Sequence, residues 1–180
     1  MNKAVFFDRD DTLIRNIPYL GDPKQVRLLP GVRRALQRLS AQGFLLFIVS
    51  NQSGVGRGLI TPAQVAAVNE AIVRRLGQDC FADILVCFDS PDGPQSGCRK
   101  PEPGMLLRAQ KKFDLSLSRS FMVGDNAADI EAGRRAGCRT ALVIHPHTKE
   151  EAIEQADFSS ASMAEIIDWI LQLDTARPMS

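Results

Sequence analysis

The chain has 180 residues, enough for one domain with a sizeable core, and its 22 basic and 21 acidic residues leave a net charge of +1. That balance argues against a nucleic-acid or anionic-membrane surface, and a single Trp and a single Tyr leave little for base stacking. No apolar run is long enough to span a bilayer, and Met1-Asn2-Lys3 leads into a strand without a signal-peptide core, so a cytoplasmic location is expected. In that compartment Cys80, Cys87, Cys98 and Cys138 are expected to be reduced thiols or metal ligands rather than disulfides.

Ala4 to Phe7 is a short apolar run closed by Asp8-Arg9-Asp10-Asp11-Thr12, which predicts a buried parallel strand with turn-forming polar residues at its end. Pro30-Gly31 precedes a helical stripe of Val32, Ala35, Leu36 and Leu39 closed by Gly43. Phe44 to Val49 predicts a second strand, ending at Ser50-Asn51-Gln52, and a loop with Gly54, Gly56 and Gly58 follows. Thr61 is placed to cap a helix with Pro62 at its first position and Gln64 completing a capping box; the helix carries Val65, Val68, Ile72 and Leu76.

Ile84 to Phe88 predicts a third strand, and Asp89 to Gly97 is a Pro- and Gly-rich loop. A helix from Pro103-Gly104 to Phe113, a strand over 121–123, a helix over 127–136 and a strand over 140–144 come next. Ser162 with Glu165 is read as the cap of a last amphipathic helix through Ile166, Trp169, Ile170 and Leu173. Strands alternating with helices predict one domain over 1–180, a three-layer α/β/α fold of the Rossmann type around a mostly parallel sheet.

In such a sheet, Asp8 and Asp10, Ser50-Asn51 and Asp125 all emerge at the carboxyl edge, where ligands bind in open α/β folds. The basic pair Arg99-Lys100 precedes a helix and joins them. Carboxylates that would repel one another are reconciled by a hard divalent cation such as Mg²⁺ with a phosphorylated substrate. The hydroxyl, glycine-rich backbone N–H groups and Lys100 suit phosphoryl oxygens. Either aspartate can attack phosphorus while the other gives a proton to the leaving oxygen. Taken singly, each group has a plainer explanation: a capping turn, an exposed lysine, a solvated loop arginine at Arg57. Their joint placement is what points to chemistry.

Phe7-Asp8-Arg9-Asp10-Asp11-Thr12-Leu13, Val49-Ser50-Asn51-Gln52-Ser53-Gly54, Arg99-Lys100-Pro101 and Gly124-Asp125-Asn126-Ala127-Ala128-Asp129 resemble, in order and spacing, the four motifs of the haloacid dehalogenase (HAD) superfamily of phosphatases. Asn51-Gln52-Ser53-Gly54-Val55-Gly56-Arg57-Gly58 with Cys98-Arg99-Lys100-Pro101 is similar to the group of heptose 1,7-bisphosphate and histidinol-phosphate phosphatases, as is the compact length without a large cap domain. The resemblance implies Asp8 as nucleophile and Asp10 as general acid/base. It implies Mg²⁺ on Asp8, the carbonyl of Asp10 and Asp125, with Asp129 and Thr12 in support. Ser50, Asn51 and Lys100 would hold the transferring phosphoryl group, and Arg57 and Arg99 the far end of the substrate. The implied substrate is a small phosphorylated sugar, best a heptose bisphosphate on the way to lipopolysaccharide core or another heptose glycan. Histidinol phosphate, a polynucleotide 3′-phosphate, or, from a different class, a non-catalytic phospho-aspartate switch or binding module are the alternatives, and a monomer is expected.

Two departures stand out. Asp11 occupies the place where the superfamily usually has glycine, and its carboxylate is expected to point away from the phosphate. The zinc loop of the heptose group, built on Cys-x-His and Cys-x-Cys pairs, corresponds here to Cys87-Phe88-Asp89 and Ser96-Gly97-Cys98. Two thiols and at best one carboxylate are short of a closed tetrahedral site, so structural zinc on Cys87 and Cys98 is not expected, and prolines and local hydrogen bonds are expected to hold the loop.

Overall fold

A computed structural model describes residues 1–77 and 80–176. Strands β1 (Ala4–Phe7), β2 (Leu45–Asn51), β3 (Asp83–Cys87), β4 (Phe121–Gly124), β5 (Arg139–Val143) and β6 (Phe158–Ser160) form one six-stranded sheet in the order β3-β2-β1-β4-β5-β6. Every neighbouring pair is parallel; β1 is central, with Phe7 beside Ile48 of β2 and Val123 of β4. The strand order reverses between β1 and β4, which opens the crevice in which α/β sheets bind ligands.

The helices are α1 (Val32–Ala41), α2 (Ser53–Gly56), α3 (Pro62–Leu76), α4 (Gly104–Phe113), α5 (Ala127–Ala136), α6 (Glu150–Gln155) and α7 (Met163–Thr175). The two-residue period of the strands divides the core into two layers. Val5, Phe7, Ile48 and Val123 pack with α1, α3 and α7, whereas Ala4, Phe6, Val49 and Met122 pack with α4. β1 is therefore apolar throughout: both of its faces are covered. Trp169 closes the first layer, stacked on Phe158 at 5.3 Å between ring centroids and edge-on to Phe121 at 5.6 Å, a packing role as expected.

The Thr61–Gln64 capping box forms as predicted. The last helix starts differently. Ser162 is at the N-cap but its hydroxyl caps nothing; Glu165 instead accepts a 2.6 Å hydrogen bond from Ser160 Oγ, and that same Oγ accepts from Ser162 N–H at 2.9 Å. Ser160 belongs to β6, a three-residue edge strand with no apolar run to announce it.

The cysteine expectation needs correcting at one pair. Cys87 at the end of β3 and Cys98 are joined as a disulfide, with Cα atoms 5.6 Å apart. The loop between them is thus closed covalently as well as by Asp89, whose Oδ2 accepts from Ser96 N–H at 2.7 Å and Ser96 Oγ at 2.9 Å. Cys87, Asp89 and Cys98 also each offer a ligand atom within 4.8 Å of the others, so the reduced pair with Asp89 would supply three of the four ligands of a structural zinc site. Cys138 is buried, and burial pushes its thiol up to about 12.

Candidate active site

Asp8 is fixed where β1 ends: its N–H donates to Val123 O at 2.8 Å, extending the ladder to β4 by one residue. Lys100 enters from the segment before α4 and is almost sealed from solvent. Its Nζ lies 2.5 Å from Asp8 Oδ1, 2.6 Å from Asp129 Oδ1 and 2.9 Å from Val49 O. Burial pulls the Lys100 pKa down, and Asp129 and Asp8 more than reverse this, so the net shift is upward and the side chain is a cation at neutral pH.

Asp125 and Asp129 come from the turn into α5. Asn126 caps that helix, and Asp129 Oδ2 accepts the N–H groups of Asp125 and Asn126, both at 3.2 Å. Asp129 approaches the backbone so closely that a Cβ on Gly124 would lie 2.3 Å from its carboxyl group. Glycine at 124 is what lets the turn and the carboxylate share that space. Asp8, Asp125 and Asp129 each offer an oxygen within 4.8 Å of the others.

Three carboxylates around one ammonium leave excess negative charge. Asp125 is pushed up to about 8 by burial first and then by Asp8 and Asp129, against a hydrogen bond from Asn126. Asp129 rises to about 6 through burial, with Lys100 opposing and Asp8 adding. Such a cluster holds protons or a cation at neutral pH, and its oxygen-only donor set suits a hard divalent ion. The residues fit Mg²⁺. Asp129 already engages both oxygens, with Lys100 and the backbone, so a supporting place suits it better than direct coordination.

Asp10 is braced separately. Arg9 donates from Nε to Oδ2 at 3.1 Å and from Nη2 to Oδ1 at 3.2 Å, and Gln52 Nε2 donates to Oδ2 at 3.0 Å. Burial raises the Asp10 carboxyl, Arg9 lowers it and Asp8 raises it, with a net upward shift. Ser50 is buried and accepts from Gln52 Nε2 at 2.8 Å. Asn51 clamps the Lys100 peptide: its Oδ1 accepts from Lys100 N–H and its Nδ2 donates to Lys100 O, both at 3.0 Å. Its amide thus places Lys100 from within the cleft lining. Thr12 is buried, its hydroxyl without a hydrogen-bond partner among the described residues.

Asp11 has φ 51°, the left-handed conformation that glycine adopts freely, and its Oδ1 turns away to accept Asn16 N–H at 3.0 Å. His145 Nε2 holds the Asp11 carbonyl oxygen at 2.6 Å. Asp8, Asp10, Lys100 and Asp125 line one cleft of about 240 Å³, together with Asn16, Ile17, Tyr19 and Gln52. Asn51 lines it too, whereas Ser50, behind Gln52, and Arg57 and Arg99 do not. Arg57 donates to Tyr19 Oη at 3.0 Å and stands 3.5 Å from Asp92, while Arg99 donates to Asp89 O at 3.2 Å. Arg99 thus braces the disulfide-closed loop, and Arg57 reaches the cleft only through Tyr19.

Residues 97–170 match the HAD-hydrolase-like family. The chain is 36% identical over 92% of its length, and 95% of the relative's, to D-glycero-beta-D-manno-heptose-1,7-bisphosphate 7-phosphatase of Pasteurella multocida (strain Pm70). It is 32% identical to D-glycero-D-manno-heptose-1,7-bisphosphate 7-phosphatase of Thermosynechococcus vestitus, over 93% of this chain and 94% of that one. The crystal structure of D,D-heptose 1,7-bisphosphate phosphatase from B. bronchiseptica, complexed with magnesium and phosphate, superposes with a TM-score of 0.83 at 28% identity, covering 95% of this chain and 99% of that one. Fold, motif geometry and kinship agree: the chain belongs to the HAD-like hydrolases, in the family of the heptose-1,7-bisphosphate 7-phosphatases.

Proposed function

We propose that the chain is a Mg²⁺-dependent phosphomonoesterase that removes the 7-phosphate of D-glycero-D-manno-heptose 1,7-bisphosphate, through an aspartyl phosphate on Asp8. The observation that carries this reading is Lys100 Nζ held between Asp8 and Asp129, with Asp125 beside them at the β1/β4 crevice. Relatives at 31–38% identity that carry this activity in their names support the substrate.

Asp8, the Asp10 carbonyl and Asp125 would hold Mg²⁺, with Asp129 supporting through its place beside Lys100. When bound, the ion neutralises phosphoryl oxygens and relieves the repulsion among the carboxylates. The chain's own groups do the rest. Asp8 Oδ bonds to phosphorus as the bond from phosphorus to the sugar oxygen breaks, and the Asp10 carboxyl proton passes to that departing oxygen. Asp10, now a carboxylate, takes a proton from water as the water oxygen bonds to phosphorus and the bond to Asp8 breaks. This returns both aspartates to their starting state and releases phosphate. Lys100 and Ser50 offer N–H and O–H donors to the phosphoryl oxygens. Arg57, at the rim behind Tyr19 and with a side chain 39% exposed, is the cation that suits the substrate's second phosphate.

We propose that the chain acts as a monomer, which light scattering of the purified protein tests; a dimer mass would replace that reading. Among the described residues no helix is long and apolar enough to cross a membrane. A cytoplasmic location agrees with a charged sugar substrate, which does not cross bilayers unaided. The test is a screen of phosphorylated metabolites with purified protein and Mg²⁺, including both heptose bisphosphate anomers, histidinol phosphate and a 3′-phosphorylated oligonucleotide. Preference for a heptose bisphosphate is expected; preference for either of the last two would replace the substrate.

A further inference from the structure

Arg9, between the two catalytic aspartates, has no part in the steps above, yet it is among the largest side chains fully withdrawn from solvent. An arginine is rarely buried unless paired, and the pairing here is specific. Its Nε and Nη2 fork onto the Asp10 carboxylate, and Nη1 stands 3.3 Å from Oδ1 of Asn69, itself buried on α3. Gln52 meets the same carboxylate from the β2 side and bonds to Ser50 with the same amide nitrogen. Asp10 Oδ2 thus takes two donors and Oδ1 one, which leaves Oδ1 with more capacity to carry a proton. A continuous hydrogen-bonded chain runs from α3 through Asn69, Arg9, Asp10 and Gln52 to Ser50.

We propose that Arg9 and Gln52 are positioning residues that lock the Asp10 carboxyl group in one orientation toward the leaving-group oxygen, and that Gln52 ties that orientation to the phosphoryl-binding Ser50. The inference rests on the reading of Asp10 as the leaving-group acid. A carboxyl group free to rotate delivers its proton less often, and the loss grows as the leaving oxygen becomes more basic. A sugar alkoxide needs that proton; p-nitrophenolate hardly does.

The experiment follows kcat/KM, which reports phosphoryl transfer to Asp8 and not the later hydrolysis common to all esters, for wild type, Arg9→Met, Arg9→Lys and Gln52→Leu across phosphate esters, from p-nitrophenyl phosphate to phenyl and alkyl phosphates. In Arg9→Met, kcat/KM for the alkyl ester is expected to fall about 100-fold and that for p-nitrophenyl phosphate less than about 10-fold, within the range general acids contribute. Arg9→Lys should recover part of the alkyl-ester rate. Gln52→Leu, which keeps the buried arginine paired, should show the same skew more weakly and decides the matter if Arg9→Met does not fold. Equal losses on all esters, or none, in the variants that fold would overturn the proposal while leaving the phosphatase reading intact. A wild-type protein that turns over no ester would sink both.

Discussion

Lys100→Met removes a cation from between two carboxylates that the fold cannot separate. Nζ is 2.5 Å from Asp8 and 2.6 Å from Asp129, and the Lys100 side chain is 3% exposed. At an effective dielectric of about 20 each contact is worth about 6 kcal/mol before desolvation, which consumes several kcal/mol per buried ion. Breaking a buried pair by deleting one partner costs about 3–5 kcal/mol in practice. That is a large share of the roughly 5–15 kcal/mol by which a domain is stable. Urea unfolding in EDTA at pH 7.5 should therefore show a loss of at least about 3 kcal/mol. Part of it should be recovered on adding Mg²⁺, which binds only the folded carboxylate cluster. A loss under about 1 kcal/mol in EDTA, with unchanged urea dependence, would refute the account of Lys100 as the charge that makes this cluster foldable.

Without metal, Asp125 and Asp129 also set a pH dependence. Their folded values of about 8 and about 6 lie above the ordinary 3.8, so the stability held by their protons is complete below about pH 4 and lost as pH rises through 6 and 8. The unfolding free energy from urea titrations in EDTA should fall from pH 5 to pH 8, by at most about 1.4 kcal/mol per pH unit for each group, and flatten in saturating Mg²⁺; a free energy that rises over that range would contradict the assignment. Gly124→Ala places a methyl group 2.3 Å from the Asp129 carboxyl and should cost about 1–3 kcal/mol while weakening Mg²⁺ binding by calorimetry. Unchanged Mg²⁺ affinity would show that Asp129 does not help shape the metal site. Alkylation of the denatured, unreduced protein should spare Cys87 and Cys98, whose bond closes a separation of 11 residues and contributes about 3 kcal/mol on chain-entropy grounds. Full labelling of both would remove the disulfide from the account.

Much of this architecture is legible in the sequence because buried parallel strands are short apolar runs ended by polar turns. β1, β2, β4 and β5 follow that rule, and the predicted third strand, 84–88, is β3 displaced by one residue. β6 is not legible: Phe-Ser-Ser has neither apolar run nor alternation, and its place is fixed by neighbours distant in sequence. Asp8, Asp10, Lys100 and Asp125 could be grouped from the rule that parallel strands open at one edge. Arg9 and Gln52 could not, since nothing in their spacing says that the side chains turn back onto Asp10. A clue existed for Arg9, the charged residue between two acids, but its burial depends on Asn69, 60 residues away. The same limit explains the clamp of Asn51 on the Lys100 peptide and the meeting of Cys87 with Cys98, where distance in the fold decides the chemistry.

On the reading proposed above, Asp8 attacks the 7-phosphate of a heptose bisphosphate. That reading is tested most directly by phosphate release from D-glycero-D-manno-heptose 1,7-bisphosphate with Mg²⁺, wild type against Asp8→Asn, with the product's remaining phosphate located by NMR. A wild-type kcat/KM at least about 10-fold above that for ordinary hexose phosphates is expected, with a product that keeps its 1-phosphate and no turnover by Asp8→Asn. Turnover by Asp8→Asn at a wild-type rate, or a kcat/KM no better than for hexose phosphates, would contradict it.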